Sequence, residues 1–587
     1  MQRLQELGGL VRQRDSDGNG SNVKGGGFGT LAETYDQVSE LGYGRYSRVF
    51  QVTHRKTGAR RAVKTAEKLG PKTEIAGLGL ECPARLAKHE ADILRHLDHP
   101  NVIRLYEVIK EQQRVHLVLE LCEGGDVLER ILVTENRWPE ADIACIFVQM
   151  LFAVWHLHIR KVVHRDLKPE HFLFARREPD REPLPPKFAG MKLIDFGLSH
   201  RQGLRYTPAG GTLQFMSPEE HAGRTPPDKK DRGDMWSLGV LLHLMLVGHY
   251  PSPKLTDANQ AQYFAQNSWK DFSKECRELL GLLLRQRPGH RPTAAQALQH
   301  PWAAAAAQAT VQLPELLVNR FSPAVHAYAS APVLRRIALL AVAREVEDTD
   351  ASSLRRLMQI LTLRCEGDIT RAALESLGRS EGSSALSTVA NSLANYFEAV
   401  DGKRSGAIFW TELLAAGLGS GDGFGFVKTA AADSDAGALP TIRDNACWRA
   451  FDLLSTGTGE VSAAALARVI AGAVPSGEVG LTPRSSRSCD HDGSGGAESA
   501  AAVAAEVQTL PTLVEEVFPS GTVSSSEFRR LVRGEMQASG QDHGQAKRCC
   551  GVLGLLTCFS ASRSRSKNQT SSAAPPQGKA EPSYVYV

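Results

Sequence analysis

The sequence predicts an α+β fold, a two-lobed unit whose first lobe is built on strands, followed by an all-helical region. Three features carry this expectation. Apolar residues alternate across residues 35–49 and return in extended segments at Ala62-Val63-Lys64 and at 115–121, with a helical stretch around Glu90 between them; a period of two marks strands. The 115–121 run ends in Gly124-Gly125, a turn suited to hinging one lobe on another. Beyond residue 350, bends of the form Gly-x-Ile or Gly-x-Val recur four times between apolar helical patterns.

A chain of 587 residues is too long for one core, so roughly three or four folding units are expected. With 42% hydrophobic and 23% charged residues it is globular on average, while 53 glycines and long Ala/Ser stretches point to linkers. A net charge of +4 is small for this length and gives no argument for nucleic acid as a partner. No apolar run reaches the roughly eighteen residues of a membrane span, and the start lacks the basic-then-apolar pattern of a signal peptide. The chain is therefore expected in the cytoplasm. Of its ten cysteines seven are scattered singly, which suits reduced thiols rather than a disulfide scaffold.

In chain order, residues 1–34 carry few apolar side chains and end near Gly25-Gly26-Gly27, reading as a disordered leader. Asp15-x-Asp17-x-Asn19-Gly20 imitates half of a Ca²⁺ loop, but Gly26 stands where the closing carboxylate belongs. Next comes Leu41-Gly42-Tyr43-Gly44-Arg45-Tyr46-Ser47-Arg48-Val49. Glycines at a strand turn let backbone N–H groups approach phosphate oxygens that a Cβ would keep away. Lys64 offers an amine suited to the α and β phosphates, and Glu90 a carboxylate to orient it. Taken singly, either is as readily a solvated surface charge.

The densest chemical signal is His164-Arg165-Asp166-Leu167-Lys168-Pro169-Glu170-His171, followed by Asp195-Phe196-Gly197. One Asp can accept the proton of an attacking hydroxyl, while the other holds Mg²⁺ against nucleotide phosphates. Residues 178–190, rich in Pro, read as a surface insertion between the two. Gly211-Thr212, Ser217-Pro218-Glu219, Asp234-x-Trp236 and Arg291 follow in order.

With these motifs in place, residues 35–302 resemble a eukaryotic protein kinase catalytic domain of the serine/threonine branch. The resemblance implies a bilobal kinase fold in which Leu41, Gly42, Gly44, Val49, Lys64 and Glu90 surround ATP. It puts Leu119 behind the adenine and implies that Glu120 and Cys122 offer backbone groups to the purine. Asp166 would position a substrate Ser/Thr hydroxyl, Lys168 would neutralise charge on the transferred phosphoryl group, and Asp195 would hold the metal. Glu219 would pair with Arg291, and Asp234 would brace the catalytic loop from below. Asp126 and Glu170 occupy places where relatives bind a basic residue of the target. The pattern departs at His171, where the family has an Asn that ligates a second Mg²⁺. Imidazole is a poor replacement for that hard oxygen and would suit Mn²⁺ better.

Residues 303–350 form a junction containing a basic, apolar-faced helix, Arg335-Arg336-Ile337-Ala338-Leu339-Leu340-Ala341-Val342-Ala343-Arg344-Glu345. It reads either as a packing helix or as an autoinhibitory segment that plugs the substrate groove. From 351 to 535, four segments fit the Ca²⁺-loop skeleton of a bend at Gly, a branched residue two places on, and a terminal Glu. They begin at Thr362, Asp401, Leu454 and Glu516. Kinase, junction and four such loops resemble the calcium-dependent protein kinase family, whose last part is a calmodulin-like, all-α EF-hand domain. Most ligands are missing. Arg364 brings a cation into the first loop, the third has no carboxylate at its ligand positions, and Phe518-Pro519 interrupt the fourth. Only Asp401, Ser405 and Glu412 of the second make a weak calcium site, opposed by Lys403. Ca²⁺ binding is therefore doubtful, and the helix pairs read as a protein-binding clamp. Residues 415–446 and 475–508 read as Gly/Ser/Ala-rich inserts.

Residues 536–587 are a Cys/basic tail. Cys549, Cys550 and Cys558 lie beside Lys547 and Arg548 and around a short apolar run, a pattern suited to S-palmitoylation and peripheral membrane contact; Gln2 leaves no Gly for myristoylation. The function expected is a serine/threonine protein kinase acting on proteins and regulated by its C-terminal domain. The alternative is a nucleotide-binding pseudokinase scaffold, raised by His171.

Overall fold

The computed structural model describes residues 30–43, 47–68, 82–133, 138–176, 190–202, 210–309, 315–346, 352–380, 384–419, 442–455, 460–470 and, with interruptions, 514–533. The first lobe is a five-stranded antiparallel sheet of β1 (Tyr35–Tyr43), β2 (Arg48–His54), β3 (Arg60–Glu67), β4 (Leu105–Lys110) and β5 (Arg114–Leu119), in the order β1-β2-β3-β5-β4. β3 sits centrally, and in its register Lys64 lies between Val49 of β2 and Leu117 of β5. The Pro83–Leu94 helix starts on its Pro, whose missing N–H has no partner to lose there, and buries Leu86, Glu90, Ala91 and Leu94. Residues 30–34 depart from the expected disordered leader. Leu31–Thr34 is a helical turn in which Thr30 and Glu33 cap each other, and Leu31 N donates to Glu111 Oε1 at 2.9 Å.

The second lobe is helical around the Glu140–Ile159 and Asp231–Val247 helices. Both are apolar on nearly every side, the composition of core helices. Glu140–Ile159 is long and apolar enough to cross a membrane, which corrects the expectation that no segment is; most of it lies inside the lobe core. Paired strands Phe172–Phe174 and Met191–Leu193 carry the chain from the catalytic loop toward Asp195.

The region after the second lobe is helical, as expected, and its bends are joined in pairs. Ile369 bridges Ile408, joining the first and second loops at their branched positions, and Val461 pairs with Val523 between the third and fourth. The bends need a left-handed backbone, which a Cβ disfavours; Gly367 has φ +129 and Gly406 φ +81.

One boundary expectation requires correction. The insert placed at 415–446 is narrower, because the Trp410–Gly417 helix runs into it with Ala415, Ala416 and Leu418 buried, and Ala446 is buried in the Ile442–Ser455 helix. The second insert and the whole tail lie outside the described residues. The junction helix also differs from the groove-plugging reading. Val333–Glu345 packs on the Trp410–Gly417, Ile442–Ser455, Ala463–Ile470 and Ser525–Arg533 helices and buries Leu334, Ile337, Leu339, Leu340 and Val342. Arg335 Nε donates to Val532 O at 3.2 Å, and its terminal amine donates to Gly419 O at 3.2 Å. Exposing Ile337, Leu339 and Leu340 alone would cost roughly 5–9 kcal/mol. In this structure the helix lies inside the clamp.

Polar bridges fasten this clamp to the catalytic half. Arg61 of β3 forms a buried ion pair with Glu345, Arg104 donates to Arg344 O at 2.6 Å, and Arg160 meets Asp368 at 3.0 Å. Asp98 accepts from Lys403 Nζ at 2.8 Å and from Thr411 Oγ1 at 2.9 Å.

Candidate active site

The cleft between the lobes brings together the charged residues that lie far apart in sequence. Lys64 Nζ is 2.7 Å from Glu90 Oε2 and 2.9 Å from Asp195 Oδ1. Burial would strip its proton, but the carboxylates of Asp195 and Glu90 raise its pKa instead. Burial would likewise raise Asp195, yet the Lys64 ammonium holds that carboxyl well below its ordinary range. Both groups are therefore charged near neutrality. Glu90 Oε1 also accepts from Phe196 N at 3.3 Å, tying the helix to the Asp195 turn. Asp195 itself is held at φ +61, a conformation costly for a non-glycine residue and common where side chains are aimed at a site.

Asp166 is fixed from two sides. Its Oδ1 accepts from Thr212 N at 2.8 Å and Thr212 Oγ1 at 2.7 Å, and Lys168 Nζ is 3.2 Å from its Oδ2. Burial opposes its charge, but the hydrogen bond from Thr212 and the Lys168 ammonium leave its pKa lowered. Beneath it, buried Asp234 accepts from His164 N and Arg165 N, both at 2.9 Å. That arrangement holds Arg165 at φ +71. Glu219 and Arg291 form a buried two-pronged pair at 2.6 and 2.7 Å.

His171 sits between the two acidic residues. Its Nδ1 is 2.7 Å from the Asp166 carbonyl oxygen and its Nε2 3.6 Å from Asp195 Oδ2. Burial lowers its pKa to about 4, so the ring is neutral.

At the nucleotide end, Val49 packs beside the core and Gly42 pairs with Val49 across the β1–β2 hairpin, while Leu41 is exposed. Gly44 lies outside the described residues. The backbone role expected of Glu120 is narrowed, since its N–H is already donated to Arg104 O at 2.9 Å. Only its carbonyl remains for a purine, and its carboxylate meets Lys192 at 3.0 Å. Cys122 is half-buried beside it, its thiol pushed up by burial.

In the second loop, Asp401 Oδ1 accepts from Ser405 N at 2.9 Å and Oδ2 from Gly406 N at 2.8 Å. Glu412 accepts from Lys403 N and Phe409 N, both at 2.9 Å. Ser405 Oγ donates to Ala407 O at 2.8 Å. These candidate calcium ligands therefore converge, but on the loop's own backbone. Lys403, expected to oppose an ion inside the loop, points out of it to Asp98. Sequence reasoning missed Asp98, for which no local pattern exists.

Comparison with known proteins agrees with this geometry. Residues 35–303 match the family described as protein kinase domain. Calcium-dependent protein kinase 8 of Oryza sativa subsp. japonica is 30% identical over 363 residues, covering 59% of this chain and 63% of the relative. CDPK-related kinase 5 of Arabidopsis thaliana is 30% identical, covering 61% and 59%. Calcium-dependent protein kinase 3 of Plasmodium berghei (strain Anka) is 28% identical over 404 residues, covering 66% and 67%. The chain spans about three-fifths of the length of the first two relatives.

Proposed function

Residues 35–303 are a protein kinase domain, and across that domain and part of the helical region after it the chain is akin to the calcium-dependent protein kinases; on that premise we propose that it transfers the γ-phosphoryl group of ATP to serine or threonine of protein substrates. The observation that carries this is the assembled constellation of Lys64, Glu90, Asp195, Asp166 and Lys168, each held by protein contacts. Lys64 would hold the α and β phosphates, with Glu90 keeping it in place. Asp195 would hold the divalent metal, Mg²⁺ in the simplest case. Once bound, that ion neutralises the phosphate oxygens.

Asp166, ionised and immobilised by Thr212, accepts a hydrogen bond from the substrate hydroxyl and takes its proton. Lys168, beside Asp166 and 3.2 Å from Thr212 Oγ1, supplies positive charge where the transferred group becomes negative. Asp126 and Glu170 supply negative charge for a basic residue in the target. The clamp regulates the site from the back of the first lobe, through the bridges at Arg61 and Asp98. Lipidation at Cys549, Cys550 and Cys558 would bring the kinase to a membrane. Fractionation of a triple Ser variant tests that part, and unchanged membrane association would refute it.

The central test is ³²P transfer from ATP to a basic Ser-containing peptide by the full chain, beside Asp166→Asn. Transfer by the wild type and its loss in the variant is the expected result. Equal counts from both proteins would instead favour the nucleotide-binding scaffold.

A further inference from the structure

We infer that Arg104 is a positioning residue for the nucleotide: it joins the end of the Val333–Glu345 helix to Glu120, so that docking of the clamp steadies the segment that receives the purine. The coupling rests on the kinase reading above and adds a specific regulatory route to it.

A helix ends on carbonyls that have no partner within it, and a cation placed there also meets the negative end of the helix dipole. Here that partner comes from the catalytic half. Arg104 Nη1 donates to Arg344 O at 2.6 Å and to Val346 O at 3.3 Å. Glu345, between them, is held as well. Its carboxylate pairs with Arg61 of β3, whose guanidinium lies 3.6 Å from the centre of the Tyr106 ring of β4, and its carbonyl accepts from Arg449 at 3.1 Å. The last turn of the helix is thus fixed to the first-lobe sheet at three consecutive residues.

The other leg of Arg104 is its main chain. Its N–H donates to Glu120 Oε2 at 3.3 Å, and its carbonyl accepts from Glu120 N at 2.9 Å. Lys192 Nζ meets the same Glu120 Oε2 at 3.0 Å. Glu120 therefore has its carboxylate and its N–H committed to Arg104 and Lys192, which leaves its carbonyl as the main-chain group assigned to the purine. A shift of Arg104 with the helix end moves both of its bonds to Glu120, and hydrogen bonds weaken steeply once their alignment is lost. Docking of the clamp and binding of the nucleotide then favour one another, and by linkage each strengthens the other by the same factor. A merely structural Arg104 would alter stability alone.

The test uses the full chain. Arg104→Ala removes the side-chain leg and leaves the main-chain groups that meet Glu120 in place. Affinity for a fluorescent ADP analogue should fall about fivefold or more, KM for ATP should rise by a similar factor, and kcat at saturating ATP should stay near the wild-type value. Arg104→Lys, which keeps a cationic donor for the helix end, should recover part of the affinity and guards against a folding defect in the alanine variant. Hydrogen exchange supplies the reciprocal arm: ADP should slow amide exchange across residues 333–346 of the wild type, and Arg104→Ala should abolish that slowing. Unchanged ADP affinity in Arg104→Ala, a fall in kcat with KM unaltered, or wild-type exchange across 333–346 that ignores ADP overturns the coupling and leaves the kinase reading standing. Failure of the ADP analogue to bind the wild type at all would overturn both.

Discussion

Lys403 Nζ lies 2.8 Å from Asp98 Oδ2, so a residue at the third position of a calcium-type loop is bonded to the catalytic lobe. Thr411 of the same loop donates to the other oxygen of Asp98 through its hydroxyl at 2.9 Å. Although burial works against it, Lys403 lowers the pKa of Asp98 to about 2. The second loop is thereby fastened to the first lobe by protein groups.

Charge reversal should expose this fastening. Lys403→Glu and Asp98→Lys should each destabilise the full chain, and combining them should restore part of the loss, with a coupling of about 0.5–3 kcal/mol. Urea denaturation of the four proteins measures it. Strictly additive effects would show that the pair contributes nothing.

Calcium should matter little to this loop's fold. Asp401 and Glu412 already accept backbone hydrogen bonds within the loop, so chelation with EGTA should leave the melting temperature unchanged. A CaCl₂-induced rise that Glu412→Gln removes would contradict this.

Removing the catalytic carboxylate should be severe. A positioned base contributes typically 10²–10⁴-fold, so Asp166→Asn should lower kcat by about that factor while nucleotide affinity, read by fluorescence, stays near the wild-type value. A parallel loss of nucleotide binding would mean that Asp166 acts mainly on the fold.

The Glu219–Arg291 pair is enclosed, with Arg291 2% exposed. Arg291→Ala leaves a carboxylate without its partner, a change that costs about 3–5 kcal/mol. Denaturant unfolding followed by tryptophan fluorescence should report it through Trp236, over which the guanidinium lies at 4.9 Å.

Glu412 supplies a pH signature. Burial, only partly offset by Lys403, pushes its carboxyl from 4.5 up to about 7. The folded state therefore holds this proton more tightly than the unfolded chain. Its contribution to stability is full below about 4.5 and is lost as pH rises through about 7, a change of about 3 kcal/mol. Melting of the wild type should weaken between about pH 5 and about pH 8 relative to Glu412→Gln. A constant difference across that range would exclude the assignment.

The legible part of the site was chemistry written locally. His164-Arg165-Asp166 and Asp195-Phe196-Gly197 each place a carboxylate on a short loop, and their order with Lys64 and Glu90 anticipates the contacts observed. Gly367 and Gly406 were equally readable, because a left-handed bend favours glycine wherever it occurs. The junction helix was less readable. A basic helix with apolar residues fits a substrate groove and a helical clamp alike, and periodicity does not name the surface that covers it.

The sequence alone determined the two-lobed catalytic unit, its charged residues and the recurring glycine bends of the helical region, since these depend on side-chain chemistry and backbone preference over short spans. Tertiary structure decided which way Lys403 points and where Val333–Glu345 is buried. Asp98 and Lys403 are 305 residues apart. No local pattern specifies such a partner, because the energy of a buried contact belongs to the packed surfaces that bring it about.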